Sequence, residues 1–163
     1  GLLWCNFGFA FTDFKLKDDL LLDCEIFQER DTKVLKLGDN GYMFDPDFKD
    51  KTFPKSSSSK TKVKIHKDKK KIIMYDSINN MEIIYNSNST PFVIKGLSLW
   101  GSSDNKEGMF KNTLVYVHLD DKIKEDSKKN IFGKSLFSFI FPNFGGLNTD
   151  LSIDHVCKNT YEK

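Results

Sequence analysis

Apolar and polar residues alternate with a period of two along most of this chain. Strands turn successive side chains to opposite faces, so that period predicts β-structure. Phe7, Phe9 and Phe11 alternate with Gly8 and Ala10 before the apolar phase jumps to Phe14 and Leu16, which predicts a bulge near Thr12 and Asp13. Strands are predicted over 20–27 and 33–37, followed by the turn Gly38-Asp39-Asn40-Gly41. Pro46 and Pro54 break any ladder that follows, and the chain then enters Ser56 to Ser59, so residues 42–60 read as one long irregular loop. Val63 and Ile65 alternate with Lys62, Lys64 and His66, a turn spans 66–69, and the chain returns over 71–75 as the second arm of a hairpin. The run Ile72-Ile73-Met74-Tyr75-Asp76-Ser77 is echoed by Ile83-Ile84-Tyr85-Asn86-Ser87 across Asn79-Asn80, as in a meander. Further strands are predicted at 92–94, 97–100, 113–119 and 136–141, and Gly145-Gly146 is the last clear break. Residues 120–130 carry one Ile among charges and read as a charged loop or a short helical turn.

These runs predict an all-β protein, an antiparallel β-sandwich or barrel of about nine short strands with little helix. Parallel α/β architecture would need helical crossovers, and the pattern leaves no place for them. At 163 residues the chain is read as a single β-rich domain over 1–163. Fifteen Phe, five Tyr and two Trp supply a large aromatic core and exclude a disordered or collagen-like class. Charge changes the picture little, because a net +2 creates no field that draws the whole chain to nucleic acid or membrane. Arg30 is the only arginine, and the heavy use of Lys, Asn, Ile and Phe fits an AT-rich genome, such as that of a parasite, a virus or a low-GC microbe. No run approaches the roughly 20 apolar residues of a membrane span, so no transmembrane segment is expected. Residues 1–11 lack a basic leading region and are read as a chain start that continues into a strand, not as a signal peptide.

Three cysteines leave at least one unpaired, and a disulfide between Cys157 and either Cys5 or Cys24 would tie the chain ends together. Asn88-Ser89-Thr90 is a glycosylation sequon, which leans the localisation toward a secreted or cell-surface setting. Spaced Cys/His ligands and glycine-rich phosphate cradles are lacking, so no cofactor is expected. Asp154-His155 with Cys157 is the one cluster with a nucleophile beside a base, which raises a small enzyme with a His/Cys site. Strand alternation would put His155 and Cys157 on one face and Asp154 on the other.

Asp45, Asp47 and Asp50 place three hard oxygen ligands in one loop, the kind calcium takes. FDPDFKD followed by KTKV resembles the acidic loop and basic strand of a C2 domain, and that resemblance implies a β-sandwich binding calcium and anionic lipid. Where the second acidic loop of that family would follow MEII, this chain has Asn86, Ser87, Asn88 and Ser89. Lys62, Lys64, Lys67, Lys69, Lys70 and Lys71 form a basic ribbon able to hold anionic lipid or another polyanion. Exposed lysines also protect sheet edges, and no aromatic residue interleaves them for base stacking, which disfavours nucleic acid. The reading is a non-catalytic binding module with a protein partner, recognised by loops 42–54, 86–90 and 101–108. The alternative is a lipid- or polyanion-binding module using the lysine hairpin.

Overall fold

The period-two runs become strands in the structure, a computed structural model that describes residue 16 and residues 18–38, 41–89, 97–119, 131–144 and 148–161. The strands are β1 (Leu20–Thr32), β2 (Val34–Leu37), β3 (Gly41–Phe44), β4 (Lys51–Pro54), β5 (Lys60–Ile65), β6 (Lys71–Asp76), β7 (Met81–Ser89), β8 (Leu97–Ser103), β9 (Leu114–Leu119), β10 (Ile131–Phe141) and β11 (Asp150–Tyr161). Cys5, the bulge expected near Thr12, the strand over 92–94 and the charged segment 120–130 lie outside the described residues.

From β5 to β11 each strand pairs antiparallel with the next, and β1 pairs with both β5 and β11. The result is a closed antiparallel barrel of eight strands, with β4 as an extra strand on the far half of β1. Of the two architectures the sequence allowed, the structure is the barrel. A C2-like sandwich of two sheets is excluded, since one sheet runs continuously around the molecule.

Every second residue points inward. Leu20, Leu22 and Cys24 of β1 meet Val63, Ile65, Ile72 and Met74, and the ring continues through Ile83, Tyr85, Leu99, Val115, Val117, Leu119, Phe137, Phe139 and Cys157. Full burial of each large apolar side chain contributes about 2 kcal/mol. At Gly101 the barrel wall needs the missing side chain: a Cβ there would meet Tyr85 Cβ and Val115 Cγ2 at 2.9 Å. Tyr85 reaches across that space to Thr113 Oγ1 at 3.1 Å, and burial raises its phenol above the ordinary value.

Two corrections concern organisation. Residues 42–60, expected as one loop, contain β3 and β4. Tyr42 and Phe44 are apolar anchors on that stretch, and Pro54 fits the outer end of the extra strand. The β2–β3 hairpin lies on the outside of the barrel, with Phe44 at 4.8 Å from the Trp100 ring and 5.2 Å from that of Tyr116. Strand alternation was expected only around Asp154 to Cys157, and the full length of β11 was not, because Asp150, Ser152 and Asp154 alternate with an inner row that itself contains His155 and Asn159. With polar residues on both faces the hydrophobic period vanishes. Among the described residues no helix is long and apolar enough to cross a membrane.

Candidate functional site

Strand β1 changes phase once. Ile26 faces His155, but Gln28 faces Asp154, so Phe27 is an extra residue. That bulge turns Gln28, Arg30 and Thr32 to the outer surface, where Asp154 and Ser138 also point. Asp154 Oδ1 accepts from Ser152 Oγ at 2.6 Å, Ser138 Oγ at 2.8 Å and Arg30 Nη2 at 3.2 Å. Its Oδ2 accepts from Gln28 Nε2 at 2.8 Å and Arg30 Nε at 2.9 Å. The same guanidinium donates to Asp50 Oδ2 at 2.9 Å and lies 4.6 Å from the Phe44 ring.

Burial alone would raise the Asp154 carboxyl, but hydrogen bonds from Arg30, Ser152 and Gln28 and the Arg30 charge outweigh it and hold the group below its ordinary value. Burial opposes the charge on Arg30 as well, and its two carboxylate partners reverse the balance upward. A perturbed cluster of this kind often marks chemistry. Here both carboxylate oxygens are already filled by donors, so the cluster clasps the hairpin and the 45–50 turn to the barrel. Sequence reasoning missed Arg30, although its being the sole arginine was a usable signal: a lysine has no planar fork for two carboxylates and a ring at once.

The three acids proposed for a metal are dispersed. Asp50 turns to Arg30 and to Thr32 Oγ1 at 2.9 Å, and Asp45 Oδ1 accepts the Asp47 amide at 2.9 Å. Among the described residues no three His, Cys, Asp or Glu side chains gather as metal ligands.

The lysine hairpin forms as β5 and β6, with Val63 and Ile65 inside. It is not an edge, since β5 pairs with β1 and β6 pairs with β7. Edge protection therefore does not explain the lysines. Opposite Lys60 stands Glu25, and across the ladder run Lys158, Asp23, Lys62, Tyr75 and Glu82 in succession. Alternating signs make this a solvated wall whose cross-strand neighbours compensate one another. Lys67, Lys69 and Lys70 belong to the turn, where Asp19 Oδ1 accepts the Lys67 amide at 2.9 Å and Ser87 Oγ donates to the Lys69 carbonyl at 2.6 Å. Lys71 opens β6 opposite Asn86.

His155 and Cys157 share the inner face. Cys157 is bonded to Cys24, its directly opposite neighbour on β1, so it offers no thiol for nucleophilic attack. Asp154, on the other face, is held by Arg30. His155 Nδ1 lies 3.1 Å from both the Phe137 and the Ile153 carbonyl. Burial lowers its pKa against the smaller upward pull of those carbonyls and of Asp154. For Asn88 only the backbone is described, paired with Trp100, and Thr90 lies outside the described residues.

Two depressed groups set an acid limb of stability. The unfolded chain protonates His155 near its ordinary 6.5 and Asp154 near 3.8, while the folded chain resists both. Stability should thus fall with pH first below about 6.5 and again below about 3.8. Urea midpoints measured from neutral pH downward should show both steps, and His155→Gln should remove the upper one.

Exposed apolar residues concentrate at one end of the barrel. The β6–β7, β8–β9 and β10–β11 connections share that end because alternate connections of a meander do. Their tips carry Ile78, Met109 and Phe144, exposed by 87%, 69% and 55%. Behind them Phe110, Phe139, Phe141 and Phe144 form a chain of rings with centroids 5.8, 4.6 and 6.0 Å apart. Each tip is an apolar residue set among turn formers, Ser77-Ile78-Asn79, Gly108-Met109 and Asn143-Phe144, which was the signal available in the sequence. The loops expected to recognise a partner shift accordingly, since 86–89 and 101–103 are strand. Fold and site together define a closed meander barrel with one apolar-rimmed end. No protein-family model matches the chain, and no curated protein sequence matches it at a significant level.

Proposed function

We propose that this protein is a non-catalytic binding module whose partner is another protein, met at the end of the barrel that carries Ile78, Met109 and Phe144. The observation that supports this reading is the exposure of those three side chains on three connections of one end, where soluble proteins keep apolar patches small unless they use them. Residues of this type form the centres of interfaces, and a rigid barrel holds their loops in register. The Cys24–Cys157 bond suits an oxidising compartment, in keeping with a secreted or surface role.

Ile78→Asp, Met109→Asp and Phe144→Asp combined should leave the fold intact, because the side chains are exposed. Retention of the partner from an extract of the source organism should fall more than about a hundredfold, as two or three interface centres are lost. Lys62→Glu with Lys158→Glu on the side wall should change retention little. Retention unaffected by the triple substitution would sink the reading. If instead the side-wall pair abolished retention, the anionic-partner alternative would take its place.

A further inference from the structure

The same end of the barrel carries a cavity of about 180 Å³ that is open to solvent. Ile26, Met74, Phe110, Phe139 and Ile153 wall it, and His155 stands one inward step below Ile153 on β11. The charged residues that border it, Lys60 and Asp76, sit at the outermost positions of β5 and β6, and Asp76 is engaged by the Ile78 amide and by Asn79. Ser59, Thr61 and Ser77 also line the space, so its walls are mostly apolar by exposed surface and not wholly so, and His155 is the buried polar group among them.

The state of that group follows from its partners. Carbonyl oxygens only accept, so His155 Nδ1, at 3.1 Å from two of them, carries the ring proton. A neutral imidazole then presents Nε2 as an acceptor, and burial favours the neutral form. Both hydrogen bonds of His155 among the described residues run through Nδ1, and the residue is one of those lining the space. A carboxylate has no hydrogen to give Nε2, and a cation finds no counter-charge on the floor.

We propose that the mouth of the barrel binds a small neutral molecule, an aromatic or alicyclic alcohol, whose hydroxyl donates to His155 Nε2 while its ring lies against Phe139 and Ile153. A space of this size takes about eight heavy atoms, since a cavity of about 150 Å³ accepts benzene. Mostly apolar walls with a few placed polar groups are the common form of such sites, and barrel mouths are a common place for them. The site shares Ile78 with the proposed partner surface, so a protein seated at this end would cover its mouth, but it is complete in the isolated chain and its test needs no partner.

The test is titration of the isotope-labelled protein with p-cresol. Saturable binding with a dissociation constant of about 0.1–1 mM is expected for a ligand this small. The His155 Nε2 resonance should move on binding, and toluene should bind about fivefold more weakly for want of the hydrogen bond. Ile153→Trp should fill the space and abolish binding. Should that variant fail to fold, nuclear Overhauser contacts from the p-cresol ring to Ile153 and Met74 in the native protein decide the matter. Absence of saturable binding, equal affinity for toluene with Nε2 unmoved, or contacts elsewhere on the surface would each overturn the proposal.

Discussion

Replacing Cys24 and Cys157 together with alanine is expected to lower the unfolding free energy by about 4 kcal/mol, the largest effect of any substitution discussed for this chain. The two residues are 133 positions apart, so the bond closes a loop spanning most of the sequence and removes many unfolded conformations. Position adds to length. Strand β1 meets β11 where the barrel shuts, and every other hydrogen-bonded pairing in that sheet joins neighbours in the meander or involves β1. At about 2 to 4 °C per kcal/mol for a chain this size, the midpoint of thermal unfolding should drop by about 8 to 16 °C. Amides of β1 and β11 should also lose hydrogen-exchange protection before those of β6 to β9. A drop no larger than about 1 kcal/mol would mean that the seam holds without its covalent bond. Thiol titration of the unfolded chain should find one reactive cysteine before reduction and three after it.

The second large effect is expected at Arg30. Arg30→Met should destabilise by about 3 kcal/mol, because it leaves the nearly buried Asp154 carboxylate without its counter-charge. Arg30→Lys should recover only part of that, since one ammonium cannot hold Asp154, Asp50 and the Phe44 face together. Combining Arg30→Met with Asp154→Leu should restore most of the stability by removing both charges. The pH profile separates this account from simple loss of packing. Burial alone pushes the Asp154 carboxyl up, so without Arg30 its acid limb should move to higher pH. An acid limb unmoved in Arg30→Met would show that the arginine does not set the carboxylate.

How much of this was legible in the sequence depended on which face carried the pattern. Hairpin β5–β6 was readable because Val63 and Ile65 alternate with outward lysines, and a one-sided apolar row fixes both register and face. Its role was not readable: whether a strand is an edge depends on closure, and closure rests on β11, whose inner row mixes Ile153 and Cys157 with His155 and Asn159. Residues 42–60 looked irregular because Tyr42 and Phe44 pack on the outside of the barrel, against Trp100, and not into its interior. The disulfide remained open between Cys5 and Cys24 since pairing depends on strand neighbours, which sequence spacing does not reveal. Arg30 stood out in composition alone. Its place on the same face as Asp154, two residues along from the opposite position held by Gln28, depends on the Phe27 bulge, a one-residue shift that no apolar period records.

The central claim is that recognition happens at the barrel end bearing Ile78, Met109 and Phe144. The most direct measurement is photo-cross-linking from a benzophenone side chain placed at Met109, compared with the same group at Lys62 on the side wall, in an extract of the source organism. The account predicts one discrete protein adduct from position 109, none from position 62, and loss of the adduct when Ile78→Asp and Phe144→Asp are added. Equal adducts from both positions, or an adduct from position 62 alone, would contradict it.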